Sequence, residues 1–118
     1  MRILRALLCI SAVLLLALSG CSKKAKVNAR FSELEKAFAG AGTNAFLNAA
    51  LAAVRTNDYA GGVLMLEALQ RAPGTSAEQL MAVHQAIQAL TAELVARAAK
   101  GDPAAKAALA AIERTRSQ

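Results

Sequence analysis

SAEQLMAVHQAIQALTAEL, residues 76–94, decides the fold. Leu80, Val83, Ile87, Leu90 and Leu94 recur there at intervals of three and four, the spacing that aligns side chains along one face of a helix. Ser76 with Gln79 forms a capping box, in which each side chain reaches the other residue's free amide. Glu78, Gln85, Gln88 and Glu93 are expected on the polar face, and Gly101 supplies a left-handed stop near residue 100. The result is one amphipathic helix with a continuous apolar seam.

Working toward the C-terminus, Asp102-Pro103 restarts a helix. Asp caps the free amides, and Pro at the first helical position needs no amide partner. Ala105, Ala108, Leu109 and Ile112 give this last helix a thin apolar face. Upstream, Asp58 caps a helix with Tyr59, Val63, Leu66 and Leu69 inward, ended by Pro73-Gly74. Before it, a helix following Thr43 presents Phe46, Leu47, Ala50, Leu51 and Val54 until Asn57. The first opens at Ser32, whose spacing to Glu35 fits a capping box, with Phe31, Leu34 and Phe38 on one face before Gly40 and Gly42.

No stretch alternates with a strand period, and the short joins imply antiparallel neighbours. The expected fold is therefore all-α: antiparallel helical hairpins in a small array or bundle. Asn57-Asp58-Tyr59-Ala60 and Gly101-Asp102-Pro103-Ala104 look alike, each joining a longer helix to a shorter one, which suggests two hairpins side by side. Residues 46–73 resemble a tetratricopeptide-type repeat through Phe46, Ala50, Ala53, Asp58-Tyr59, Leu66 and Pro73. The resemblance covers about a quarter of the chain. Gly62 stands where the pattern has Ala, and the two junctions are 44 residues apart, not 34. An Ala-rich antiparallel hairpin of independent origin would give much of the same pattern.

The 118 residues make one domain at most. Met1 to Arg5 is a positive n-region, Ala6 to Leu18 is an apolar run, and Ser19-Gly20 places small residues before Cys21. This three-part pattern reads as a secretory signal spanning residues 1–20, too short for a permanent span, which needs about 20 apolar residues. Leu18-Ser19-Gly20-Cys21 resembles the lipobox of bacterial lipoproteins. That resemblance implies cleavage before Cys21 by signal peptidase II, recognising Leu18, Ser19 and Gly20, with acyl chains placed on Cys21. Several chains make attachment stable where one is marginal. Ser22, where an Asp would favour retention at the inner membrane, favours transfer to the periplasmic leaflet of the outer membrane under the family's rule. Residues 21–30 are expected to form a lipidated, basic tether reaching about 30 Å, and residues 31–118 the helical domain.

The net charge of +6 is unevenly placed. Arg2 and Arg5 belong to the leader, and Lys23, Lys24, Lys26 and Arg30 to the tether; from Phe31 onward eight bases face eight acids. A nucleic-acid binder would carry a basic stripe and stacking groups on its domain, so that class is set aside. Cys9 departs with the leader and Cys21 is acylated, which leaves no disulfide framework and no cysteine zinc site.

Chemistry-bearing residues are few. His84 is the only histidine and has no partner at ligand or general-base spacing. Ser32, Thr75 and Ser76 read as caps, as do Asp58 and Asp102, and Gly61-Gly62 reads as a close approach between helices. No catalytic residue, cofactor or metal is expected. The expected function is a non-catalytic, lipid-anchored adaptor or scaffold that binds an envelope protein. The alternative is a structural lipoprotein that self-associates through the Leu80–Leu94 seam.

Overall fold

The computed structural model describes residues 26–40, 42 and 44–118; the leader, the Leu18–Cys21 segment and Lys23 and Lys24 lie outside them. The described residues form helices and their connections, with no strand among them. In order these are α1 (26–38), α2 (Ala45–Arg55), α3 (Tyr59–Arg71), α4 (Ala77–Ala99) and α5 (Pro103–Arg116). The all-α expectation is met.

The caps of α4 and α5 are those the local sequence specifies. Ser76 Oγ accepts from the Gln79 amide at 3.2 Å while Gln79 Oε1 accepts from the Ser76 amide at 2.9 Å. Pro103 occupies the first turn of α5 behind Asp102. Asn44 caps α2 by accepting from the Leu47 amide at 3.1 Å.

The two similar junctions share one device. At the first, the Asn57 amide donates to the Val54 carbonyl at 3.1 Å and the Asp58 amide to the Ala53 carbonyl at 2.8 Å. At the second, Gly101 donates to Ala98 at 3.0 Å and Asp102 to Arg97 at 3.1 Å. This is the Schellman arrangement, which satisfies the last carbonyls of a helix when the residue after its cap turns left-handed. Asn57 (φ 61°) and Gly101 (φ 91°) are those residues. Each Asp then caps the following helix: Asp58 Oδ1 accepts from the Gly61 amide and Asp102 Oδ1 from the Ala104 amide, both at 3.0 Å. One aspartate thus closes one helix with its amide and opens the next with its carboxylate. The expected long-to-short order holds only at the second junction, because α2 has 11 residues and α3 has 13, against 23 in α4 and 14 in α5.

Packing follows the apolar stripes. α2 lies on α3, α3 on α4, and α5 on both α3 and α4. Val83, Ala86, Ile87, Leu90 and Leu94 from α4 meet Tyr59, Val63, Leu66 and Leu69 from α3 and Ala105 and Ile112 from α5 in a single core. Gly62 is where three helices approach: a Cβ there would stand 3.0 Å from Val54 Cγ2 and 3.3 Å from Leu90 Cδ1. The close-approach reading of Gly62 holds, whereas at Gly61 an added Cβ would meet the capping carboxylate of Asp58.

Three expectations are corrected. α1 is already helical at Lys26, so Ser32 is an exposed mid-helix residue and no cap, and the expected boundary between residues 30 and 31 falls inside the helix. The reason is Val27, 1% exposed, which extends the stripe of Phe31, Leu34 and Phe38 one turn upstream. α1 runs antiparallel to α4, with Gln79 Nε2 donating to the Ala37 carbonyl at 3.2 Å and Arg30 Nη1 to Gln85 Oε1 at 3.3 Å. Lys26 and Arg30 therefore belong to the domain. Second, Phe46 (42% exposed) and Leu80 (36%) lie outside the core, each in the first turns of a helix where no neighbour covers them. Third, Glu93 is buried at 8% exposure, beside the contact of α4 with α1 and paired with Arg97.

Three substitutions check this architecture in urea unfolding of the chain. Val27→Ala is expected to lose about 2 kcal/mol, as a core methyl pair would, and a loss near zero would restore the tether. Gly101→Ala is expected to lose about 1 kcal/mol through its left-handed backbone, while Asn57→Gly at the equivalent position leaves stability unchanged or slightly raised.

Candidate functional site

Of the residues expected to carry function, Leu18, Ser19, Gly20 and Cys21 lie outside the described residues. Within them the chemistry-bearing groups are dispersed. His84 is exposed on α4 and pairs only with Gln88 one turn on, at 3.1 Å. Thr75 Oγ1 donates to the Ala72 carbonyl at 3.1 Å and so finishes α3 instead of opening α4. Among the described residues no three His, Cys, Asp or Glu side chains gather as a metal site.

The most organised polar cluster joins α3 and α4. Glu93 Oε1 accepts from Arg97 Nε at 2.8 Å, the spacing of one helical turn. The Arg97 guanidinium lies 4.7 Å from the centroid of the Tyr59 ring, and its Nη2 donates to the Tyr59 hydroxyl at 3.4 Å. Burial works against the Arg97 charge, but the hydrogen bond to Glu93 and the proximity of Tyr59 outweigh it and hold the guanidinium above its ordinary range. Arg97 is therefore a fixed cation held between a ring face and a carboxylate. The cluster pins the end of α4 to the start of α3. The sequence placed Glu93 on the polar face because helical period alone puts it beside the seam; Arg97 four residues on was the signal of a buried pair.

Beside this cluster an open groove of about 420 Å³ runs between α1 and α4, bordered by Lys26, Arg30, Gln85, Gln88 and Glu93. Glu93 Oε2 is sealed from solvent and has no hydrogen-bond partner among the described residues, so the polar groups that a solute could reach there are cationic or amide. Arg30 is engaged with Glu33 at 3.0 Å. Nothing in the groove pairs a nucleophile with a base.

Val95 is exposed at 52% toward the end of α4, and three further large apolar side chains, Phe46, Leu80 and Met81, are exposed elsewhere, Met81 at 64%. α2 and α4 are both antiparallel to α3, so all three sit toward the same end of the bundle, opposite the start of α1. In contrast, Val83, Ile87, Leu90 and Leu94 of the seam are consumed by the chain's own core and are closed to a second copy. Among the described residues no helix is long and apolar enough to cross a membrane.

Compared with protein-family models, curated proteins and solved structures, the chain matches none.

The ion pair is open to a direct check. Arg97→Ala leaves a buried carboxylate without its partner and is expected to cost about 2 kcal/mol in chemical unfolding, discounted for the partial exposure of Arg97. Replacing the pair together, Glu93→Leu with Arg97→Met, is expected to recover most of that loss. If the double variant is no more stable than the single one, the cost lies in lost packing on Tyr59.

Proposed function

We propose that this chain is a bacterial lipoprotein, cleaved before Cys21, whose helical domain serves as a non-catalytic adaptor for an envelope protein at the periplasmic face of the outer membrane. The observation that carries the anchor is Leu18-Ser19-Gly20-Cys21 at the end of a basic and then apolar leader. Acyl chains on Cys21 hold the chain to one leaflet, and Ser22 favours the outer membrane. The adaptor reading is supported by Phe46, Leu80 and Met81, three of the four exposed large apolar groups among the described residues, which stand uncovered at the end of the bundle away from the anchor, the fourth, Val95, lying toward the other end. Exposed large apolar groups gathered on one part of a small domain mark a protein-binding surface more often than chance. A tetratricopeptide-like origin draws support from the matching Asp58 and Asp102 junctions, while the 23 residues of α4 exceed a helix of that repeat.

Self-association is the second reading, and it would have to use the same exposed groups, since the α4 seam is internal. Metabolic palmitate labelling with envelope fractionation, comparing the natural chain with Cys21→Ser, tests the anchor: label and membrane association are expected to vanish together. Photo-crosslinking from position 46 or 81, with position 110 on α5 as control, tests the adaptor. A discrete adduct with another envelope protein from 46 and 81 only is expected. An adduct of twice the chain's own mass assigns the surface to self-association, and no adduct at any position overturns both.

A further inference from the structure

The antiparallel packing brings the start of α1, the α2–α3 junction and the α4–α5 junction to one end of the bundle. Lys26 borders the groove beside Ala92 and Glu93, and Arg97 in the last turn of α4 covers Tyr59 in the first turn of α3. At this end Lys26, Arg55, Lys100 and Lys106 are exposed and form no ion pair with another described residue. The acids there outside the Glu93–Arg97 pair are Asp58 and Asp102, whose carboxylates are already engaged as helix caps. At the far end the bases outside the ion pairs, Lys36, Arg71 and Arg114, are matched in number by Glu35, Glu78 and Glu113. The basic surplus of the folded domain therefore lies wholly at the end from which Cys21 leads, and Lys23 and Lys24 add to it in sequence.

We infer that this end is a docking surface for anionic phospholipid headgroups and that the domain stands end-on upon the leaflet holding its anchor. The inference rests on acylation of Cys21. Five residue steps separate Cys21 from Lys26 and can span at most about 17 Å. The antiparallel register that pairs Ala37 with Gln79 and Arg30 with Gln85 sets Lys26 level with Ala89, about 15 Å along α4 from Ala99 at the near end and about 18 Å from Ala77 at the far end. A leash of that length does not by itself choose between the ends, and the charge that faces the leaflet does. Contact is electrostatic and superficial: Pro103, Ala104 and Ala107 at the start of α5 are small, Val95 is the one large apolar group exposed toward this end among the described residues, and Phe46, Leu80 and Met81 point away into the periplasm. Each basic group near an anionic leaflet raises affinity about fivefold, an effect that decays within a Debye length.

The lipidated chain carrying Ala104→Cys at the near end or Ala77→Cys at the far end, each labelled with a fluorophore, is reconstituted in phosphatidylcholine vesicles with or without phosphatidylglycerol. A quencher in the headgroup layer reports proximity at about 0.1 M and about 1 M salt, where Debye lengths are about 10 and 3 Å. The label at 104 is expected to be quenched only with phosphatidylglycerol at low salt, and the label at 77 under no condition. Combined Arg55→Gln, Lys100→Gln and Lys106→Gln is expected to abolish the quenching, and combined Lys36→Gln, Arg71→Gln and Arg114→Gln to leave it intact. Quenching at 104 that ignores lipid charge, salt and the first set, or equal quenching at 77 from a domain lying flat, overturns the inference. Mass spectrometry of the same preparation reports acylation separately. Should Cys21 carry no acyl chain, the anchor falls, and flotation of that chain on the same vesicles decides the surface: binding that needs phosphatidylglycerol and the first set of bases supports it, and binding indifferent to both overturns it.

Discussion

Burial of the α4 stripe is the constraint from which the remaining structure follows. α4 is the longest helix, and α1, α3 and α5 each set an apolar face against it, while α2 reaches it across Gly62. A domain of this size buries only about two-thirds of its surface, and with few aromatic rings it has little margin. Close approach substitutes for bulk: Ala50, Ala86 and Ala105 are buried, so helix backbones come near enough for Leu34, Leu66, Leu69 and Leu90 to interlock. Removing Gly62's space or Val27's methyls acts on the same contact layer, although the two residues belong to different helices.

Economy at the helix junctions follows from the same need. A bundle with a thin core cannot carry long loops, because each ordered loop residue costs conformational entropy that no apolar burial offsets. Asp58 and Asp102 reduce each join to a three-residue turn by serving both flanking helices. The rigid hairpins that result fix the direction of every helix, and with it the end at which each charge emerges.

The parts of the fold legible in the sequence were those governed by contacts three or four residues apart. The Ser76–Gln79 box, the Asp58 and Asp102 caps, the Gly101 stop and the core residues of α3 were all local signals, and the structure contains each of them. What escaped depended on partners distant in the chain. Val27 sits among Lys24, Lys26 and Arg30, so composition hid a core residue that only the groove of α4 explains. Glu93 is buried because Tyr59, 34 positions earlier, draws Arg97 over it. Phe46 and Leu80 fit the helical period but lie beyond the neighbouring helix ends, and periodicity carries no information about where a neighbour stops. For the candidate site the asymmetry is sharper: the Leu18–Cys21 pattern behind the proposed anchor is a linear signal, whereas the sorting of charge between the two ends exists only after folding.

That sorting changes the meaning of a neutral domain. Counted along the chain from Phe31, bases and acids cancel, and a long flexible tether would then leave the domain indifferent to the leaflet beneath it. Folding moves Lys26 and Arg30 into the domain and gathers the basic surplus at the end where α1 starts. The same antiparallel order sends Phe46, Leu80 and Met81 to the opposite end. With Cys21 anchored as proposed, charge at one end and apolar groups at the other restrict the attitudes the domain can take, because turning over would trade basic contacts for none. The sorting is a consequence of topology: a single additional helix between α3 and α4 would reverse α4 and α5 alone, carrying Leu80 and Met81 to the end where α1 starts and Lys100 and Lys106 away from it, while Phe46 and Arg55 kept their places.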